Sequence, residues 1–178
     1  MLSPKTQPYI IDNLDLILKY FAWKLCTNQN SALAKIVFEF CDNLYNKVND
    51  LKLNDIEINV LFNLFCDKLV SSVSTLKEKS RNLLAGYIGL TTQQKAFKML
   101  LSIAYYKPNK TKCDIIEYVF TIYSTGEIND CCLKKNCNAV MKLYVRSDNI
   151  VRNNLINLIK ELYRVVLLEI LEKILKVG

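Results

Sequence analysis

Few residue types able to do chemistry stand out in this chain. It contains no histidine, which removes the usual general base and the usual nitrogen ligand for metals. No nucleophile–base pair can be assembled without one, and the Asp and Glu residues are spread along helix surfaces. Cysteines are more numerous: Cys26, Cys41, Cys66, Cys113, Cys131, Cys132 and Cys137. A zinc site wants four ligands, usually as two C-x₂-C pairs or with histidines. The nearest cluster, Cys131, Cys132 and Cys137, has the spacing CC-x₄-C and no such partner. Neither an enzyme nor a metal protein is expected, and no cofactor. The N-terminus MLSPKTQPY lacks the apolar core of a signal segment. Reduced, mostly buried thiols in a cytosolic chain are therefore expected. No run approaches the ~18 consecutive apolar residues of a membrane span, so no membrane partner is expected.

Charge remains. Lys and Arg number 24 against 17 Asp and Glu, a formal net charge of +7. That suits an acidic partner, whether nucleic acid, an anionic membrane or an acidic protein surface. Lys35, Arg81, Lys112 and Arg152 recur at separations of 46, 31 and 40 residues. Each lies early in a segment of helical period, just after a polar turn. HEAT-type helix pairs repeat every ~40–47 residues, so the mean spacing suits a solenoid of about four pairs plus a terminal helix.

The elements that must carry these residues are helical. Hydrophobic residues make up 51% of the 178, while Pro (3) and Gly (4) are scarce, which is an all-α composition. After an extension over residues 1–12, the apolar period predicts helices over 12–25, 31–48, 55–73 and, after a turn at Ser74–Lys77, one ending near Gly89. Leu33, Ile36, Val37, Phe40, Cys41, Leu44 and Val48 form the cleanest stripe. Further helices are predicted over 92–105, from Lys110 to about Thr125, and over 129–144, where CCLKKNC has no clear moment. The stretch from Arg146 to Tyr163 opens on Ser147 or Asp148 as cap and carries Ile150, Val151, Leu155, Leu158, Ile159 and Leu162 on one face. A last helix, 167–176, would dock on the end of the stack. In such a stack, turns of one type share one edge. Residues 26–30, 74–77, 106–110 and 145–148 would then form a basic ridge, containing or adjoining Lys77, Lys79, Arg81, Lys107, Lys110, Lys112, Arg146 and Arg152.

At this level the residues resemble a known family, the C-terminal-type TOG domains of microtubule polymerases. LDLILKYFAWKLC (Leu14 to Cys26) with its continuation to Phe40 is similar to a second HEAT repeat of that family, and carries Lys24 and Lys35. Asp67-Lys68-Leu69 through Arg81 resembles the third repeat. Phe97 to Val119 resembles the fourth, with Lys107, Lys110, Lys112 and Glu117 on like-charged positions. Asp148-Asn149-x-Val151-Arg152-Asn153 reproduces the fifth repeat's DNxVRN. The resemblance runs from about Asn13 to Gly178, implying a single domain over 13–178 that lacks the family's first repeat and part of its last. Two departures stand out: Thr27 replaces a turn aspartate, and Arg146-Ser147 replaces Asp-Arg.

The resemblance implies binding of αβ-tubulin or microtubules through the intra-repeat turns, without chemistry, in the cytoplasm on the cytoskeleton, at microtubules, spindle or spindle pole. Carried over residue by residue, the contacts would be Thr27, Asn28, Lys77, Lys79, Lys107, Lys110, Lys112, Arg146 and Asn149. Arg81 and Arg152 are expected instead to tie repeats together, pairing with an aspartate of a neighbouring turn. Tyr105, Tyr106, Tyr118 and Phe120 are expected to pack between helices. Two other readings of the same residues stay open. One is a HEAT-like scaffold holding another protein. The other, less favoured, is a basic module for nucleic acid, with Tyr105 and Tyr106 beside Lys107 stacking on a base.

Overall fold

The computed structural model describes residues 6–27, 30–48, 51–126 and 128–177, with side chains as far as residue 171. Ten helices and no strand are present among them: α1 Gln7–Asp12, α2 Leu14–Thr27, α3 Ser31–Lys47, α4 Asp55–Lys68, α5 Ser74–Ile88, α6 Gln93–Tyr106, α7 Asn109–Ser124, α8 Asp130–Lys135, α9 Cys137–Val145 and α10 Asn149–Val177. Contacts gather them into two compact units, Met1–Thr91 and Thr92–Gly178.

The first unit holds two helix pairs. α2 packs on α3 and α4, and α5 packs on α3 and α4. Asparagines start two of these helices. The Asn30 side chain accepts from Ala32 N–H at 2.8 Å. Asn54 accepts from Ile56 and Glu57 N–H while Glu57 Oε2 accepts from Asn54 N–H at 2.7 Å, a reciprocal cap that satisfies orphan donors of α4. The core is aromatic at its centre, with Phe38, Phe62, Phe65 and Tyr87 fully buried. Phe65 meets Phe38 edge-on at 5.5 Å and Tyr87 at 5.6 Å. Two buried hydroxyls peg the helices: Tyr87 Oη donates to Cys41 O at 2.8 Å, and Ser80 Oγ to Phe65 O. Burial at the same place pushes the Cys41 thiol up to about 12, with Asp42 beside it adding to the rise.

In the second unit, α6 packs on α7, α8 and α9, and α10 lies along α7, α8 and α9. Its core is mostly aliphatic, built from residues such as Leu100, Ile115, Ile116, Val119, Val140, Leu155 and Leu158. Gly126 ends α7 with φ +81°, a left-handed conformation that suits a residue without Cβ. The long predicted helix over 129–144 is broken at Asn136, whose side chain donates to Cys132 O at 2.9 Å and whose backbone caps α8.

The helix bounds differ from the expected ones at several places. The turn placed at Ser74–Lys77 is the first turn of α5, because Leu76 and Lys77 N–H already bond to Val73 O; the bend itself lies at 69–73, and α4 stops at Lys68. The helices predicted over 146–163 and 167–176 are one, α10. Neither Pro nor Gly interrupts residues 149–177, so nothing in the backbone forces a break. Ile36 (62% exposed) and Ile150 (66%) face outward rather than into their stripes. Residues 7–12 of the predicted extension form α1.

Candidate partner-binding edges

Within the first unit, the ends of α2 and α4 lie side by side. A groove of about 470 Å³ runs between them, with Cys26 and Ser31 on one wall and Asp67, Ser71, Ser72 and Leu76 on the other. The bend after α4 therefore sits beside Cys26 of α2 and Ser31 of α3. Thr27 is exposed at the end of α2, its Oγ donating back to Trp23 O at 3.0 Å. Asn28 lies outside the described residues. Lys77 is half-buried one turn into α5. Lys79 does not reach this edge: it lies with Asp42, Thr75 and Glu78, its ammonium 3.8 Å from Asp42 of α3. Arg81 is half-buried, and its Nε is enclosed by protein. Lys68 at the end of α4 also lines this groove, beside Asp67.

Within the second unit, the turn after α6 and the turn after α9 are tied together directly. Arg146 donates to the Tyr105 hydroxyl, with its guanidinium carbon 5.5 Å from that ring's centre. Asn109 Nδ2 donates to Asp148 Oδ2. Lys110 is exposed and Lys107 half-exposed, one on each side of Pro108 and Asn109. Tyr106, expected between helices, is 81% exposed and stands edge-on to Tyr105 at 5.0 Å.

The DNxVRN segment divides its roles residue by residue. Asp148 Oδ1 accepts from Val151 N–H at 3.0 Å and so caps α10. Ser147, the other cap candidate, is buried and donates to Leu143 O. Asn149 is exposed at the helix start. Arg152 folds back, donating to Tyr144 O at 3.1 Å and Val145 O at 3.3 Å, with its guanidinium over the Tyr144 ring. These are the last carbonyls of α9, where a cation also meets the negative end of the helix dipole. Arg152 is thus held by carbonyls and a ring rather than by the expected aspartate.

Lys112 departs most from expectation. It lies in α7 at 9% exposure, with Thr111 beside it also buried. A side chain so enclosed does not stand on the edge beside Lys107 and Lys110. All three lysines follow or flank one turn in the sequence, but the packing of α7 separates Lys112 from the other two. Among the described residues, no group of three or more His, Cys, Asp or Glu could hold a metal, and no helix is long and apolar enough to cross a membrane. Cys132 is buried, which raises its thiol pKa, while Cys131 is exposed.

Helices packed in pairs, with no strand among the described residues, define an all-α protein of HEAT type. The chain belongs to the XMAP215/Dis1/CLASP TOG-domain family, whose model matches residues 4–176. It is similar to Protein MOR1 of Arabidopsis thaliana, 23% identical over 164 residues that make up 91% of this chain and 8% of that protein. Protein MOR1 of Oryza sativa subsp. japonica is 23% identical over 166 residues, 90% of this chain and again 8% of the relative. The chain thus spans about a twelfth of the length of the curated relatives it matches. No solved structure matches it.

Proposed function

We propose that this chain is a tubulin-binding TOG domain, engaging αβ-tubulin through its intra-pair turns and supporting microtubule growth or organisation on the cytoskeleton. The family match over residues 4–176 carries the reading, since it places a microtubule- and tubulin-related module across both units. The turn edge of the second unit supplies the chemistry. Lys107, Lys110 and Arg146 gather positive charge on two turns already fixed against each other. Tubulin's surface is acidic, so such an edge would raise the association rate and orient the encounter. On the first unit, Thr27 and Lys77 would contribute hydrogen bonds and shape more than charge. Lys112 and Lys79 take no part in this reading, one for burial and the other for its place against Asp42. It is a binding function and requires no cofactor.

The test is size-exclusion chromatography of the chain with unpolymerised tubulin, alongside a duplex DNA control. Co-elution at micromolar concentration is expected, and it should be lost in Lys107→Glu combined with Lys110→Glu. Absence of any shift with the unaltered chain would sink the proposal. DNA binding with a steep salt dependence in its place would favour a nucleic-acid module.

A further inference from the structure

Alongside the turn edge of the second unit, α6 and α9 leave a groove of about 460 Å³ that the turn-edge reading does not use. Three cations stand around it: Lys98 on α6, Lys142 on α9 and Arg146 just beyond α9. No Asp or Glu is among its lining residues. Leu101 and Ala139 give it apolar lining, and Tyr105 and Tyr106 add two rings. Arg146 is held there by its bond to Tyr105 Oη, so one of the three charges is preorganised and loses little freedom when a ligand arrives. Lys98 and Lys142 are exposed.

We propose that this groove binds a short acidic peptide segment in extended conformation, supplied by a partner protein. Charge sets the ligand's sign: three cations with no lining acid favour carboxylates, and their mutual repulsion falls when an anion enters. Shape sets its class. Lys98 to Tyr105 spans seven residues of α6, about 10 Å at 1.5 Å per residue. An extended peptide covers that length with about three residues at ~3.3 Å each. Apolar lining between cationic rims suits a peptide backbone with side-chain stems lying on Leu101 and Ala139. Alternate side chains of such a strand point to opposite sides, so acidic residues in a row reach both rims, Lys98 on one and Lys142 on the other. The exposed Tyr106 ring offers a face to the aliphatic part of a glutamate. The groove shares Tyr105, Tyr106 and Arg146 with the turn edge, but Lys98 and Lys142 are its own, and the proposal does not rest on tubulin binding.

Fluorescence anisotropy with a fluorescein-labelled hexaglutamate peptide, titrated with the full chain at low salt, tests it. Saturable binding is expected, weakening at least tenfold in Lys98→Glu combined with Lys142→Glu. The control Lys47→Glu combined with Lys52→Glu makes the same change in net charge on exposed residues of the first unit, and should keep wild-type affinity. Hexaglutamine should not bind. All four altered residues are exposed, and an unchanged circular dichroism spectrum verifies that each variant is folded. Equal losses in both double variants would overturn the proposal, because they would make the binding a net-charge effect. So would a single-stranded oligonucleotide competing at a lower concentration than the peptide. Co-elution of Lys98→Glu, Lys142→Glu with tubulin is measured separately. If it persists while hexaglutamate binding is lost, the groove and the turn edge are distinct sites; if tubulin fails to bind even the unaltered chain while hexaglutamate binds it, the groove stands and only the tubulin reading falls.

Discussion

The two units fasten their helices by opposite means. In the first, the ties lie inside: Tyr87 and Ser80 hydroxyls meet backbone carbonyls of α3 and α4 within a cluster of aromatic rings. In the second, polar ties between helices lie largely at the surface, where Arg146 meets Tyr105, Asn109 meets Asp148, Lys134 meets Glu169 and Arg164 meets Asp130. Buried bonds rigidify without leaving anything for a partner to touch. Surface ties do the reverse: each is worth little to folding but holds charge in a fixed place. The contrast teaches where binding chemistry can reside, and it makes the second unit the place to look.

The largest effect should come from the first unit's core. Phe65→Ala removes a fully buried ring touching both Phe38 and Tyr87 and should cost about 3–5 kcal/mol in urea unfolding. A loss under ~1 kcal/mol would show that the aromatic cluster does not hold this unit together. A pH effect of the same origin follows from Cys41, whose pKa rises from 9.0 to about 12 through burial. Because the folded pKa is the higher one, this thiol's contribution is complete below pH 9. It declines as pH rises from 9 towards 12, since the unfolded chain ionises first, by about 1.4 kcal/mol per pH unit at most. Stability measured from pH 8 to 10.5 should fall, and Cys41→Ala should flatten the slope.

Two smaller changes sharpen the contrast. Tyr87→Phe keeps the ring and deletes the bond to Cys41 O, at a cost of about 1 kcal/mol. Gly126→Ala in the second unit should also cost about 1 kcal/mol, but through backbone conformation alone, because φ is +81° and an added Cβ would meet nothing within 4 Å. Thermal unfolding of both variants would check whether an internal bond and a turn conformation weigh alike.

Helix pairing was legible from the apolar period, and so were most of the inward residues of α3, α4, α6 and α7. What escaped has identifiable causes. Val165-Val166-Leu167-Leu168 is apolar on every side, so the periodic signal fades there and α10 read as two helices, although nothing in the backbone breaks it. Ser74-Thr75 looked like a turn because both residues favour caps, yet Val73 O already accepts the first helical bonds. At the candidate edges, charge was legible and orientation was not. Lys107, Lys110 and Lys112 are indistinguishable as residue types, but only position around α7 decides that Lys112 turns inward. Lys98 and Lys142 lie on helices away from the turns, and their convergence depends on how α6 packs on α9, which residue spacing does not show.

Surface ties of the second unit supply the smallest stability effect and the most discriminating one. Arg164→Gln removes an exposed guanidinium that bonds Glu161 at 2.7 Å and lies 3.4 Å from Asp130. Glu169→Gln removes the partner of Lys134. With all these side chains a third or more exposed, water and salt screen the pairs, so each variant should lose far less stability than Phe65→Ala. The loss should shrink further in 1 M salt, where the Debye length falls to ~3 Å. Phe65→Ala should be indifferent to the same salt, because its loss is one of packing. If the exposed pairs instead cost as much as the buried ring, the second unit would also depend on its polar ties for folding. Its surface charges would then be committed to structure, and the weight placed on Arg146 as a partner-facing residue would shift to Lys107 and Lys110.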